Sequence, residues 1–180
     1  DPVVEAQILH SWRVSYREAV AIQESCRAQV RIEPLAQPVR LVAGADVAYS
    51  RRSHRMYAAV VLVRLPLLEA FRRLRMEPDA LLFDGQGLAR PRRFGLACHW
   101  GLLFDRPSVG CAKSRLVGEH GKVGAERGSS TVLTYEKIRV GTVLRTRRGV
   151  KPVYVSPGYL VDRASSVELV LACTGRFRIP

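Results

Sequence analysis

The chain is short of acids. Its 16 Asp and Glu face 29 Lys and Arg, a net charge of +13 over 180 residues, and its isoelectric point is near 10.5. An imbalance of that size points to a polyanionic partner, nucleic acid before an acidic membrane surface. Paired cysteines are lacking as well: the 4 present, Cys26, Cys98, Cys111 and Cys173, lie far apart. That spacing excludes a disulfide frame and a paired-cysteine zinc site, and suits reduced thiols used as small apolar residues. His10, His54, His99 and His120 show no ligand spacing either. No apolar run approaches the length of a membrane span and no signal-peptide pattern is visible, so a cytoplasmic protein with no membrane partner is expected. Internal repeats and linkers are absent too. The 180 residues suffice for one domain, expected over 1–180, with a real core.

What is present is organised around Leu81 to Ser114, LLFDGQGLARPRRFGLACHWGLLFDRPSVGCAKS. The apolar run Leu81-Leu82-Phe83 ends on Asp84 and is closed by Gly85-Gln86-Gly87, the pattern of a buried strand and a tight turn. Pro91 suits the first position of a helix. Phe94, Ala97, Cys98, Gly101 and Leu102 recur at helical spacing, and Gly95 and Gly101 let that helix lie close on a sheet. Pro107 ends it, and Ser108 to Ala112 reads as a second strand leading into Lys113. Strand, helix, strand is a βαβ unit, so the two strands are expected to be parallel. Asp84 and Lys113 then share the edge where open α/β sheets place ligands. Two readings of that pair stand: a ligand site, or a structural ion pair at a strand edge.

Around this unit, Ser15 to Glu18 forms a capping box at a helix start, continued by Ala19, Ile22, Cys26 and Val30. Arg17, Arg27 and Arg31 would face solvent or phosphate. Arg40 to Tyr49 is a strand whose one acid is Asp46, sharing a face with Val42, Gly44 and Ala48. A carboxylate inside such a strand needs a partner, either a metal ion or a basic side chain. The metal is favoured, because Asp84 is the other isolated acid at a strand. Met56 to Leu65 is a further strand, joined to the first as an antiparallel hairpin across Ser50 to Arg55. Leu67 to Arg75 reads as a helix, and Glu77-Pro78-Asp79 as the turn into the central strand. Glu119 to Ser130 reads as a mobile loop. Thr131 to Tyr135, Ile138 to Thr146 and Val153 to Ser156 read as strands, with a turn at Arg147-Arg148-Gly149. Ser156-Pro157-Gly158 reads as a tight turn, and Asp162 as the cap of a last helix.

These residues resemble the endonuclease V family of deoxyinosine-directed repair nucleases. Six stretches carry the resemblance, in order: VAGADVAY from Val42, FDGQG from Phe83, PRRFGLA from Pro91, PSVGCAKSRL from Pro107, KPVYVSPG from Lys151 and RFRIP from Arg176. The resemblance implies an RNase H-like fold, an α/β architecture with a mixed central sheet flanked by helices. It implies hydrolysis of a phosphodiester one nucleotide to the 3′ side of a deaminated base, with Mg²⁺ as cofactor and Mn²⁺ as its alternative. By matching motif positions, Asp46 and Asp84 would be the metal-binding acids and Lys113 the lysine beside the scissile phosphate. Gly85, Gly95, Leu96 and Leu116 would line the pocket for the flipped base, and Arg92, Arg93 and Ser114 would contact phosphates. The implied partner is DNA containing deaminated bases, or RNA in the ribonuclease branch of the family, and the implied state is a monomer.

The sequence departs from the family pattern at four places. The family's third strand, its base-wedging element and its third catalytic acid belong beside Pro66, between Leu65 and Leu67, and are absent there. Glu69 is the nearest acid but matches a helix position. Arg90 and Tyr159 stand where the family has histidines, and the chain stops at Pro180, before a stretch that supplies a further histidine. A segment of roughly 20–30 residues is therefore expected to be missing beside Pro66, given ordinary strand and loop lengths, and the C-terminus to be truncated. If the third acid is truly deleted, the expectation becomes a catalytically dead nucleic-acid binder on the same fold.

Overall fold

The structure, a computed structural model, describes residues 7–36, 38–49, 56–64 and 78–180. Among the described residues, seven strands form one mixed sheet. In chain order they are β1 (Leu41–Tyr49), β2 (Met56–Arg64), β3 (Ala80–Phe83), β4 (Ser108–Ala112), β5 (Ser130–Tyr135), β6 (Ile138–Leu144) and β7 (Val153–Tyr159). Three helices accompany them among the described residues: α1 (Tyr16–Ala28), α2 (Leu96–Phe104) and α3 (Arg163–Cys173). Across the sheet the order is β2-β1-β3-β4-β7-β6-β5. β1, β3 and β4 run parallel at its centre, and the other pairings are antiparallel. This is the mixed α/β sheet that the resemblance implied, and β3–α2–β4 is the expected βαβ unit. The expected turn at 50–55, the helix at 67–75, Glu69 and the segment beside Pro66 lie outside the described residues.

The two sheet faces are apolar for different helices. Val42, Leu82, Val109 and Cys111 point to the face that α3 covers with Leu169 and Val170. Ala43, Leu81 and Phe83 point the other way, against Ala97 of α2 and its neighbours Trp100 and Phe104. Period-2 alternation in the central strands produces both sets at once. α1 lies outside α2, where Cys26 joins Phe94, Cys98, Leu102 and Tyr159. Its start is the capping box expected from the sequence: Ser15 accepts from the Glu18 amide, and the Glu18 carboxylate accepts from the Ser15 amide at 2.6 Å. Asp162 caps α3 in the same manner, accepting from the Ser165 amide at 2.7 Å.

Three expectations need correction. α2 begins at Leu96 with Gly95 as its N-cap, so Pro91 belongs to the turn before the helix and not to its first position. The stretch 90–93 folds back on itself, the Arg93 amide donating to the Arg90 carbonyl. Ser156-Pro157-Gly158 lies inside β7 rather than in a turn. A proline is tolerated there because a register shift between Ser108 and Val109 interrupts the β4–β7 ladder at that level. Finally, the expected mobile loop Glu119 to Ser130 ends on the first residue of β5, and its remainder has no regular element but is tied down. Glu119 bridges Thr134, and the Arg145 guanidinium donates to the carbonyls of Val123 and Gly124.

Gly101 meets the sheet as expected: a Cβ there would lie 2.2 Å from Ser108 Oγ and 2.6 Å from Tyr159 Cβ. Gly101→Ala should therefore cost roughly 1–3 kcal/mol through overpacking. For a domain of this size that lowers the thermal midpoint by about 2–4 °C per kcal/mol. An unchanged midpoint in a calorimetric scan would refute the close approach.

Candidate active site

The register of the parallel strands builds the site. Ala45 pairs with Phe83, so the next residues, Asp46 still within β1 and Asp84 just past the end of β3, come side by side at the C-terminal edge of β3. Phe83 pairs in turn with Gly110, and Lys113 follows where β4 ends. The Lys113 ammonium donates to Asp84 Oδ2 in a close ion pair. The Asp84 side chain is 26% exposed and that of Lys113 55%, so the pair sits at the rim of a crevice and water reaches it. The hydrogen bond that Lys113 donates to Asp84, then the Asp84 charge, hold the Lys113 pKa above its ordinary 10.5, with a smaller push from Asp46. Asp46 is exposed rather than buried inside the sheet, which corrects the expectation of an enclosed carboxylate. Its negative charge acts on the same ammonium.

A cavity of about 460 Å³ opens beside these three residues. Its wall continues through Val61, Cys111, Cys173 and Ile179, so a charged rim meets an apolar interior. Burial pushes the Cys111 and Cys98 thiols up to about 12. Neither is a thiolate nucleophile at neutral pH. Among the described residues no group of three or more His, Cys, Asp and Glu side chains gathers as a metal cage. Asp46 and Asp84 are two hard oxygen donors on one edge, a set that suits a divalent cation retaining several of its waters.

The Gly-rich turn is wedged between three elements. A Cβ on Gly87 would lie 2.0 Å from the Pro157 carbonyl oxygen, one on Gly95 2.2 Å from that of Gln86, and one on Gly110 2.5 Å from the Gly87 amide nitrogen. The Gln86 carbonyl also accepts from the Ala97 amide at 3.2 Å, so the turn caps α2 with main chain. Gly85 lies against the Leu96 side chain, with 3.6 Å between its Cβ position and Leu96 Cδ2. Gly85, Gly95 and Leu96 are thus brought together. Leu116 is 52% exposed, on the segment that begins at Ser114, whose carbonyl accepts from Gln86 Nε2 at 3.2 Å. Arg92 faces inward to α1, donating to Gln23 Oε1 and the Tyr16 hydroxyl, both at 3.2 Å. Arg93 adopts a left-handed backbone, φ 52°, and Ser114 is exposed. Tyr159 is buried, with Arg31 over its ring and its hydroxyl donating to Asp105. Arg31 therefore braces this corner.

Sequence reasoning missed two supports. Ser156 accepts from the Gly87 amide at 2.7 Å and donates to Gln86 Oε1 at 3.3 Å, a buried polar network inside the turn. Arg178 donates to main-chain carbonyls on either side of the β4–β7 edge. Gln86 in an otherwise apolar and glycine-rich stretch was the visible signal for the first. The second joins residues too distant in sequence for any spacing to show. The His10–His99 contact, 2.8 Å between Nε2 atoms, is likewise invisible in the sequence.

A mixed sheet whose parallel strands deliver two carboxylates and a lysine to one edge, in a strongly basic chain, is the frame of an RNase H-like nuclease. A family model described as endonuclease V matches residues 64–180. The endonuclease V of Methanothrix thermoacetophila is 44% identical, covering 96% of this chain and 89% of that protein. The chain belongs to the endonuclease V family and is an endonuclease of that class. The alignment with the Methanothrix protein spans 201 positions against the chain's 180 residues, so at least 21 positions have no counterpart here. The crystal structure of endonuclease V from Streptomyces avermitilis superposes with a TM-score of 0.85 at 32% identity, covering 99% of this chain and 92% of that one. Endonuclease V of Ciona intestinalis, solved with a DNA that contains an inosine, shares the fold at a TM-score of 0.68 and 23% identity, covering 91% of each chain.

Asp84→Asn should return the Lys113 pKa toward 10.5, since Asp84 supplies the largest causes of its rise. The sign follows: the pair's contribution is complete below 10.5 and fades as pH climbs through the raised value. NMR titration of the lysine ammonium checks this, and an unmoved pKa would contradict the pairing.

Proposed function

We propose that the chain hydrolyses a phosphodiester bond one nucleotide to the 3′ side of deoxyinosine or another deaminated base, with Mg²⁺ as cofactor and Mn²⁺ as a substitute. It would act as a monomeric cytoplasmic repair enzyme. The observation that carries this reading is the meeting of Asp46, Asp84 and Lys113 at one strand edge. Family membership and the +13 charge support it.

Asp46 and Asp84 would hold the cation, which when bound lowers the pKa of a water and offsets charge on the phosphate. Lys113, kept protonated by Asp84, has its positive charge at the rim where charge develops on the reacting phosphate. The Gly85–Gly87 turn with Gly95 and Leu96 would receive the base once it leaves the stack, offering main-chain donors and acceptors. Arg93 and Ser114 are the proposed phosphate contacts. Arg92 would serve that role through the contacts that anchor α1 beside it.

A second reading rests on one observation: among the described residues no third acid joins Asp46 and Asp84. A true deletion beside Pro66 would leave a binder without cleavage. We favour a missing segment, in which the third acid and the wedge would reside. An incision assay with deoxyinosine DNA and inosine RNA, with and without Mg²⁺, separates the DNA nuclease, the RNA nuclease and the binder.

Asp46→Asn and Asp84→Asn should each remove most Mg²⁺-dependent incision while leaving the fold intact. Near-normal cutting by either variant would overturn their assignment. Lys113→Ala should lower cleavage more than binding, whereas equal losses would reduce Lys113 to a plain phosphate contact.

Affinity for undamaged duplex should fall by roughly tenfold or more between about 50 and 200 mM salt, because neutralised phosphates release counterions. A flat salt titration would contradict the polyanion reading.

A further inference from the structure

We infer that Arg178 is a positioning residue for Lys113, a role that rests on the nuclease reading for its catalytic consequence but not for its structural one. The Arg178 guanidinium donates to three main-chain carbonyls: Nη2 to Lys113 at 2.9 Å and to Pro152 at 2.8 Å, and Nε to Lys151 at 2.8 Å. The β4–β7 ladder closes with Ala112 opposite Tyr154. Lys113 and the stretch 151–152 are where the two chains splay apart, beyond the last rung. Arg178 bridges that gap with a planar fork, which a single strand-to-strand hydrogen bond could not span.

The segment that carries Arg178 is held without its side chain. Thr146 Oγ1 donates to the Arg178 carbonyl at 2.5 Å, and Arg147 Nη1 donates to the Arg176 carbonyl at 2.9 Å. The guanidinium is thus not required as a staple for its own backbone. What it fixes is the peptide of Lys113, whose side chain reaches back to Asp84. With that peptide free to swing, the ammonium would lose its defined place at the rim. Lysine is long enough to find Asp84 from several backbone positions, but only a fixed backbone gives it one. The stretch RFRIP therefore has a physical role at the site, through the main-chain contacts that Arg178 makes.

The test compares wild type, Arg178→Gln, Arg178→Lys, Lys113→Ala and the double variant Arg178→Gln with Lys113→Ala. Amide hydrogen exchange should quicken in 112–114 and 151–153 of Arg178→Gln while the rest of the sheet keeps its protection. Unchanged exchange there, or a uniform loss across all strands, would overturn the inference. Cleavage at saturating substrate should fall by roughly a hundredfold, the scale of a misplacement near 1 Å, with KM little altered. The same substitution should cost nothing more in the Lys113→Ala background. Additive losses, or full activity in Arg178→Lys, would also overturn it, since an ammonium keeps the charge without the fork. If wild type cuts no inosine substrate, the nuclease reading fails, and exchange alone decides whether Arg178 holds Lys113.

Discussion

The parallel pairing of β1, β3 and β4 is the constraint on which the site depends. Parallel pairing in a fixed register brings residues of neighbouring strands to one level, so they meet whatever their distance along the chain. Asp46, Asp84 and Lys113 are separated by 38 and 29 positions, yet the register leaves them on one edge. The buried alternation of the central strands fixes that register. A slip of one residue would turn Val42, Leu82 and Val109 from the α3 face to the α2 face, where the space is filled for Ala43, Leu81 and Phe83. Packing energy in the core thereby sets the placement of charges at the rim.

Much of this was legible in the sequence because the signals were local and strong. A short apolar run ending in Asp-Gly marked β3, the capping box marked α1, and the βαβ order predicted the parallel direction. Boundaries were less legible. Pro91 looked like a helix start, but the chain needs 90–93 to turn before Gly95 can approach the Gln86 carbonyl. Pro157-Gly158 looked like a turn, but a ladder irregularity at Ser108 and Val109 lets a proline remain in β7. These are tertiary effects, and propensity along one segment does not contain them.

At the site the same division holds. Isolated acids in or just after apolar strands could be picked out because a carboxylate in an apolar stretch is costly without a function or a partner. Their supports could not. Ser156 and Arg178 act on residues 69 and 65 positions away, through contacts that exist only once the sheet has formed. Arg92 is a further case: its guanidinium donates to Gln23 and Tyr16 of α1, contacts that its charge alone did not indicate.

The turn Gly85-Gln86-Gly87 is enclosed by β4, β7 and the start of α2, and its recess is shaped by main chain. Point substitution changes side chains, and here there are almost none to change. The recess is therefore resistant to gradual retuning. A new shape would require an insertion or deletion that moves a helix and two strands together. Adaptation to a differently shaped ligand would be easiest on the open side, along the exposed segment that begins at Ser114.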